Sequence, residues 1–123
     1  MVAKTVLVVV SLFLLGGCAS TSSIAARYEP TPTPVLVGYW FANNANQAQY
    51  LKINTDGTGA ICWESMSEYR SAPIVISNQK MVANMESEWS LTDTGFQNCK
   101  FGFCADFKRI AENRIAPECK SYF

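Results

Sequence analysis

The chain predicts an all-β fold, a small antiparallel meander of about 6–8 short strands closing into a barrel or sandwich. Two observations carry this. From Val35 onward, β-branched and aromatic residues occur in short runs broken by Asn, Asp, Gly and Ser. No segment shows successive turns of apolar residues at helical spacing, so nothing competes with the strand reading.

The elements follow in order. Residues 35–41 read as the first strand and residues 49–54 as the second, with Leu51 and Ile53 on one face. Asp56-Gly57 then supplies the positive φ angles of a tight hairpin, and residues 59–64 return as its partner. Residues 73–77, 80–85, 88–92, 101–110 and 114–119 complete the set, with breaks at Asn78-Gln79, Glu86-Ser87, Thr94-Gly95 and Glu112-Asn113. No internal repeat is visible.

Ahead of these strands stand Lys4, an apolar run at residues 6–15, and Leu15-Gly16-Gly17-Cys18. A spanning helix needs roughly 20 apolar residues, and this run is about half that, the length of a signal-peptide core. Leu15, Gly16, Gly17 and Cys18 resemble the bacterial lipoprotein signal, an aliphatic residue and two small ones before a Cys. The resemblance implies removal of residues 1–17, a thioether from the Cys18 thiol to diacylglycerol, and acylation of the new amine by a chain such as palmitate. Ala19, in place of an Asp that would retain the protein at the inner membrane, implies an outer-membrane lipoprotein facing the periplasm or the cell surface.

Residues 18–34 contain Ser-Thr-Ser-Ser and then three prolines at alternate positions, and read as a lipidated, extended tether that lifts the domain off the bilayer. Residues 35–123 are left for one small domain. Ten basic and ten acidic side chains balance over the whole chain, with no basic cluster. That pattern argues against nucleic acid as a partner and against a polybasic lipid-headgroup site.

Gly38-Tyr39-Trp40 at the start of the first strand is similar to the Gly-x-Trp signature that opens lipocalins. The resemblance implies a late Arg packed over the Trp, a role open to Arg109 or Arg114. The family's middle Thr-Asp-Tyr motif is absent, and the domain is short for eight long strands around a cup. Read from the residues alone, Trp40 is a core aromatic and Gly38 makes room for it.

After Cys18, the cysteines Cys62, Cys99, Cys104 and Cys119 form an even set in a chain bound for an oxidising compartment, so two disulfides are expected. A Cys99–Cys104 bridge requires the intervening residues to be a loop, because an extended strand would carry the two beyond the roughly 7 Å Cα limit. Phe101 and Phe103 read as strand residues, which favours Cys104 with Cys119 across a hairpin at Glu112-Asn113, and Cys62 with Cys99.

The chain has no His, which removes the commonest general base and the usual partner of a Ser or Cys nucleophile. With no Cys-x-x-Cys pair either, no zinc site or other metal is expected, and no cofactor. Glu64 with Glu68, and Glu86 with Glu88, are the carboxylate pairs a glycosidase would need, but they read as solvated surface. An EF-hand register across Asn54 and Asp56 would place Lys52 and Trp63 at ligand positions, so the turn is structural.

The expectation is a non-enzymatic outer-membrane lipoprotein, attached through Cys18 and acting on an envelope protein through surfaces such as Tyr39, Tyr50 and Tyr69. Two alternatives stand beside it. One is a carrier of a small hydrophobic ligand such as a lipid, with Trp40, Trp63 and Trp89 lining a cavity; the other is an inhibitor of an envelope enzyme such as a lysozyme.

Overall fold

Apolar residues alternate with smaller or polar ones through eight segments. In the computed structural model, which describes residues 24–44 and 47–123, these segments are the strands of one closed barrel. They are β1 Gly38–Asn44, β2 Gln47–Ile53, β3 Thr58–Ser65, β4 Glu68–Ser77, β5 Lys80–Val82, β6 Glu86–Leu91, β7 Gly95–Lys100 and β8 Phe103–Ile110. Each pairs antiparallel with its sequence neighbour, and β1 closes on β8 through Tyr39↔Ile110, Trp40↔Arg109 and Phe41↔Lys108. Of the two architectures the sequence left open, the barrel is the one formed.

Cross-strand partners share a face, so the register decides which side chains enter the barrel. Trp40 pairs with Leu51, Leu51 with Ile61, Ile61 with Ala72, and Phe96 with Phe107, all pointing inward. Their strand neighbours point out: Cys62 and Val75 are buried on the outer wall, beneath the two chain segments that flank the strands. The up-and-down order also sorts the turns. Those after β2, β4 and β6 lie at one end of the barrel, and those after β3, β5 and β7 lie at the other.

The first end is closed. A short 3-10 turn, Pro34–Leu36, brings the fully buried Leu36 to the core, and the Trp40 Nε1–H donates to its carbonyl oxygen at 2.8 Å. Phe96 meets Trp40 edge-on at 4.8 Å between ring centroids and stacks on Phe107 at 5.0 Å. The Arg109 guanidinium lies 4.3 Å from the Trp40 ring centroid and donates to the carbonyls of Val37 and Val35 at 2.7 and 3.2 Å. Gly38 has φ +133°, and a Cβ there would stand 2.5 Å from Arg109 Nη1, so both its backbone and its bareness are needed. Arg109, not Arg114, is thus the arginine over the Trp; Arg114 ends the 3-10 turn Glu112–Arg114.

A hairpin forms at Asp56-Gly57 as expected, but over a four-residue loop, residues 54–57, in which Gly57 alone has positive φ. Gly57 has φ +90°, and Asp56 Oδ1 accepts from both the backbone N–H and the hydroxyl of Thr58 at 2.9 and 2.6 Å. The hydroxyl bond, reinforced by the backbone bond, lowers the Asp56 carboxyl below its ordinary value.

Several boundaries differ from the sequence expectation. The turn between β3 and β4 is at Met66 and Ser67, both at positive φ, and a Met in that conformation gives no sequence signal. Residues 83–85 form the next turn, so Glu86 and Ser87, expected as a break, begin β6. Residues 114–119 are not a strand, because Pro117 opens a short helix, Pro117–Lys120.

The expected disulfide pairing is corrected by these changes. The bridges are Cys62–Cys119 and Cys99–Cys104, with Cα separations of 5.7 and 4.1 Å. Phe101 and Gly102 adopt φ +51° and +80°, a two-residue hairpin turn that makes Cys99 and Cys104 direct cross-strand partners. Cys119, on the helix rather than a strand, reaches the outer face of β3 at Cys62.

Residues 24–33, which the sequence reading placed within the tether, lie against the barrel wall. Ile24–Arg27 is a 3-10 turn whose Ala25 is buried against Val75 and Val82, and the Thr31 N–H donates to the Ile76 carbonyl at 2.7 Å. The Thr31 hydroxyl accepts from the Asn78 N–H at 3.1 Å, so hydrogen bonds at Thr31 and apolar packing of Ala25, Ile24 and Tyr28 together hold this stretch.

A disulfide removes loop-closure entropy from the unfolded chain in proportion to the logarithm of the loop. Sequence separations of 57 and 5 residues therefore predict unequal effects. Converting Cys62 and Cys119 to Ser should cost about 4 kcal/mol, and Cys99 and Cys104 about 2 kcal/mol. Urea denaturation of the two double variants reads this directly; equal losses would contradict the assigned bridges.

Candidate functional site

Above the aromatic plug the barrel interior changes character. The inward positions toward the open end are Gln49 on β2, Trp63 on β3, Ala72 on β4, Asn98 on β7 and Ala105 on β8. Small residues at Ala72 and Ala105 leave space that Phe96 and Phe107 occupy lower down. The result is an open cup of ≈ 460 Å³ with Ile61 at its floor and Phe103 and Met85 at its mouth. That volume lies within the usual range for small-molecule sites.

The cup wall is mixed: Ile61, Trp63, Ala72 and Ala105 give it an apolar floor and sides, and amides from Asn44, Gln47, Gln49, Asn84 and Asn98 are set among them. Gln49 is tied to Gln47, its Nε2–H donating to Oε1 at 3.3 Å. Asn98 Oδ1 is buried without a partner among the described residues. Among the described residues, Lys100 is the one charged side chain on the lining, and no Asp or Glu contributes to it. Such a wall accepts an apolar body and offers amide and ammonium groups to a neutral or anionic head.

A recess of ≈ 700 Å³ lies elsewhere, between β1, β2 and the C-terminal segment, bordered by Lys52, Glu112 and Lys120. It is an outer-surface hollow, where Lys52 Nζ donates to the Phe123 carbonyl at 3.1 Å. The cup is the better candidate because strands surround it.

The residues singled out in the sequence fall in different places. Cys18 and the signal segment lie outside the described residues. Trp40 fills the closed end, Trp63 lines the cup, and Trp89 packs at the lower core with its Nε1–H donating to the Asn78 carbonyl at 2.8 Å. Tyr39, Tyr50 and Tyr69 are not the free surface expected: they are half-buried around Cys62, Ile115 and Cys119 beneath the C-terminal segment. Partial desolvation there, with Glu64 and Glu118 nearby, raises the Tyr69 phenol above its ordinary value.

Glu64, Glu68, Glu86 and Glu88 do not converge on the cup. Glu86 pairs with Lys80 at 3.3 Å on the outer wall. The cup residues themselves were missed by the sequence reading, although one signal was available. Gln49 is in phase with inward Leu51 and Ile53, and Asn98 with inward Phe96, so polar side chains recur at interior positions.

The geometry defines an eight-stranded up-and-down barrel, plugged at one end and open at the other. The fold is similar to that of the lipoprotein YedD from Klebsiella pneumoniae subsp. pneumoniae MGH 78578, a crystal structure with a TM-score of 0.61 at 15% identity, covering 80% of this chain and 90% of that one. No family model matches the chain, and no curated protein does.

The unpaired Asn98 Oδ1 carries a burial penalty of about 1–3 kcal/mol that an apolar side chain of similar size would not. Asn98→Leu should therefore raise the melting temperature. A drop would mean that the amide is satisfied and structural.

Proposed function

We propose that this protein is a non-enzymatic, lipid-anchored envelope lipoprotein of the outer membrane whose barrel binds a small amphiphile in its open end. The observation that carries the binding role is the cup itself: an open hollow with an apolar floor at Ile61, Trp63 and Ala72, and polar groups that include the unpaired Asn98 Oδ1 and the Lys100 ammonium. An apolar chain would lie against Trp63, Ile61 and Ala72, and a neutral or anionic head would meet the amides and the Lys100 ammonium.

The envelope assignment is supported by the Leu15-Gly16-Gly17-Cys18 motif, and by the structural likeness to a protein named as a lipoprotein. Ala19 after the Cys favours the outer membrane. A binding rather than a chemical role is supported by the lack of any His and by the outward placement of Glu64, Glu86 and Glu88.

The test is mass spectrometry of organic extracts from the full-length protein purified out of its own membranes. The parent should yield one amphiphile at stoichiometric level, and Ala105→Phe, which fills the cup, should yield little. Asn98→Leu, which keeps the cup's volume, should retain the apolar interaction with altered head-group preference. Identical extracts from the parent and Ala105→Phe would refute the cup as a site and leave protein contacts as the role.

A further inference from the structure

The two ends of the barrel differ in the chemistry of their turns. At the closed end the turns are built on Asp56 with Gly57, Asn78 with Gln79, and Asp93, and the large apolar side chains exposed beside them are Leu91 at 56% and Val35 at 48%. At the open end they carry apolar side chains: Met66 is 97% exposed, Phe101 88%, Phe103 80% and Met85 60%. Scattered surface apolar residues need no explanation, but four large ones on three successive turns around one rim form a patch.

Two of these tips occupy conformations that their residue types disfavour. Met66 at φ +51° precedes Ser67 at +69°, and Phe101 at +51° precedes Gly102 at +80°. Both are two-residue hairpins in which Asn-Gly is the least strained choice. At the closed end the corresponding residue is Asn78 at φ +53°, which is that ordinary choice. The rim thus accepts a steric penalty at each tip while presenting a large apolar side chain to solvent. The Cys99–Cys104 bridge sits immediately behind Phe101 and braces its hairpin.

We propose that this apolar rim seats on the surface of the lipid bilayer in which Cys18 is anchored. The reach of the chain supports it. Followed backward from Thr31, beside the closed-end turn at Asn78, the N-terminal segment moves up the outer wall to Ala25 against Val82, three residues from Met85 on the rim. Only five residues lie between Cys18 and Ile24, a span of at most about 20 Å when fully extended. A lipidated Cys18 therefore holds the barrel close to the bilayer, with the rim within its range.

The side chains suit an interfacial seat. Phe and Met side chains enter the boundary between headgroups and acyl chains without carrying charge into it. Lys100 Nζ lies 5.1 Å from the Phe101 ring centroid, where its ammonium would meet the phosphates while its stem follows the ring. In this pose the cup opens toward the lipid, although the seating itself does not require the cup to hold a ligand. It rests on the anchor at Cys18 read in the previous subsection.

The test is photocrosslinking of the full-length protein in intact cells. Met66→benzoylphenylalanine and Phe101→benzoylphenylalanine probe the rim, and Thr92→benzoylphenylalanine probes the closed end. Phospholipid adducts on the two rim variants, with a several-fold lower yield at position 92, are the expected result. Adducts to another protein at both rim positions would overturn the proposal in favour of a protein partner, and equal lipid yields at all three positions would overturn it as non-specific. If the Phe101 variant loses its Cys99–Cys104 bridge, the Met66 variant carries the comparison alone. Palmitate labelling of the same cells separates the two failures: an unlabelled Cys18 overturns both the anchor and the seating, whereas a labelled Cys18 with a lipid-free rim overturns the seating only.

Discussion

Everything in this molecule depends on the seam where β1 pairs with β8. Tyr39↔Ile110, Trp40↔Arg109 and Phe41↔Lys108 close the ring, and closure removes the sheet edges that eight short strands would otherwise expose. It also fixes the interior width, which for eight strands is just enough for side chains to fill. Whether a barrel of this size is solid or hollow at a given height is then decided by side-chain volume alone. Trp40, Phe96, Phe107, Leu51 and Ile74 fill one half. Ala72 and Ala105 leave the other half open.

The two flanking segments reinforce this division by covering walls rather than ends. The N-terminal stretch packs Ala25 against Val75 and Val82, and the C-terminal stretch packs Ile115 and Cys119 against Cys62. Among the described residues, Pro34–Leu36 is the segment that crosses an end, and there it completes the plug under Trp40 and Arg109. At the opposite end the cup and the apolar turns coincide.

The fold class was legible because strand alternation is a local property that tertiary contacts here do not override. Leu51 and Ile53, the Asp56-Gly57 hairpin and the Asn78-Gln79 break all follow from residue type. The turns at Met66 and Phe101 did not, because their residues are poor turn formers, and the disulfide pairing failed with them. Reading Phe101 and Phe103 as strand residues separated Cys99 from Cys104, whereas the left-handed turn places them side by side. The docking of residues 24–33 was illegible for another reason: its apolar contact is a small cluster around Ala25, and the rest is backbone hydrogen bonding such as Thr31 to Ile76, which leaves no mark in composition. The cup was partly legible, since Gln49 and Asn98 sit at interior phase, but the space around them comes from pairing Ile61 with Ala72 and Asn98 with Ala105.

Hydrogen exchange of the three indole N–H groups tests the plugged-and-open barrel most directly. Trp40 is buried and bonded to the Leu36 carbonyl, whereas Trp63 faces the cup. The account predicts that the Trp40 indole exchanges only on global unfolding, while the Trp63 indole exchanges rapidly and slows when the cup is filled by Ala105→Phe. Equal and strong protection of Trp40 and Trp63 in the parent protein would mean that both ends are closed, and the cup would not exist in solution.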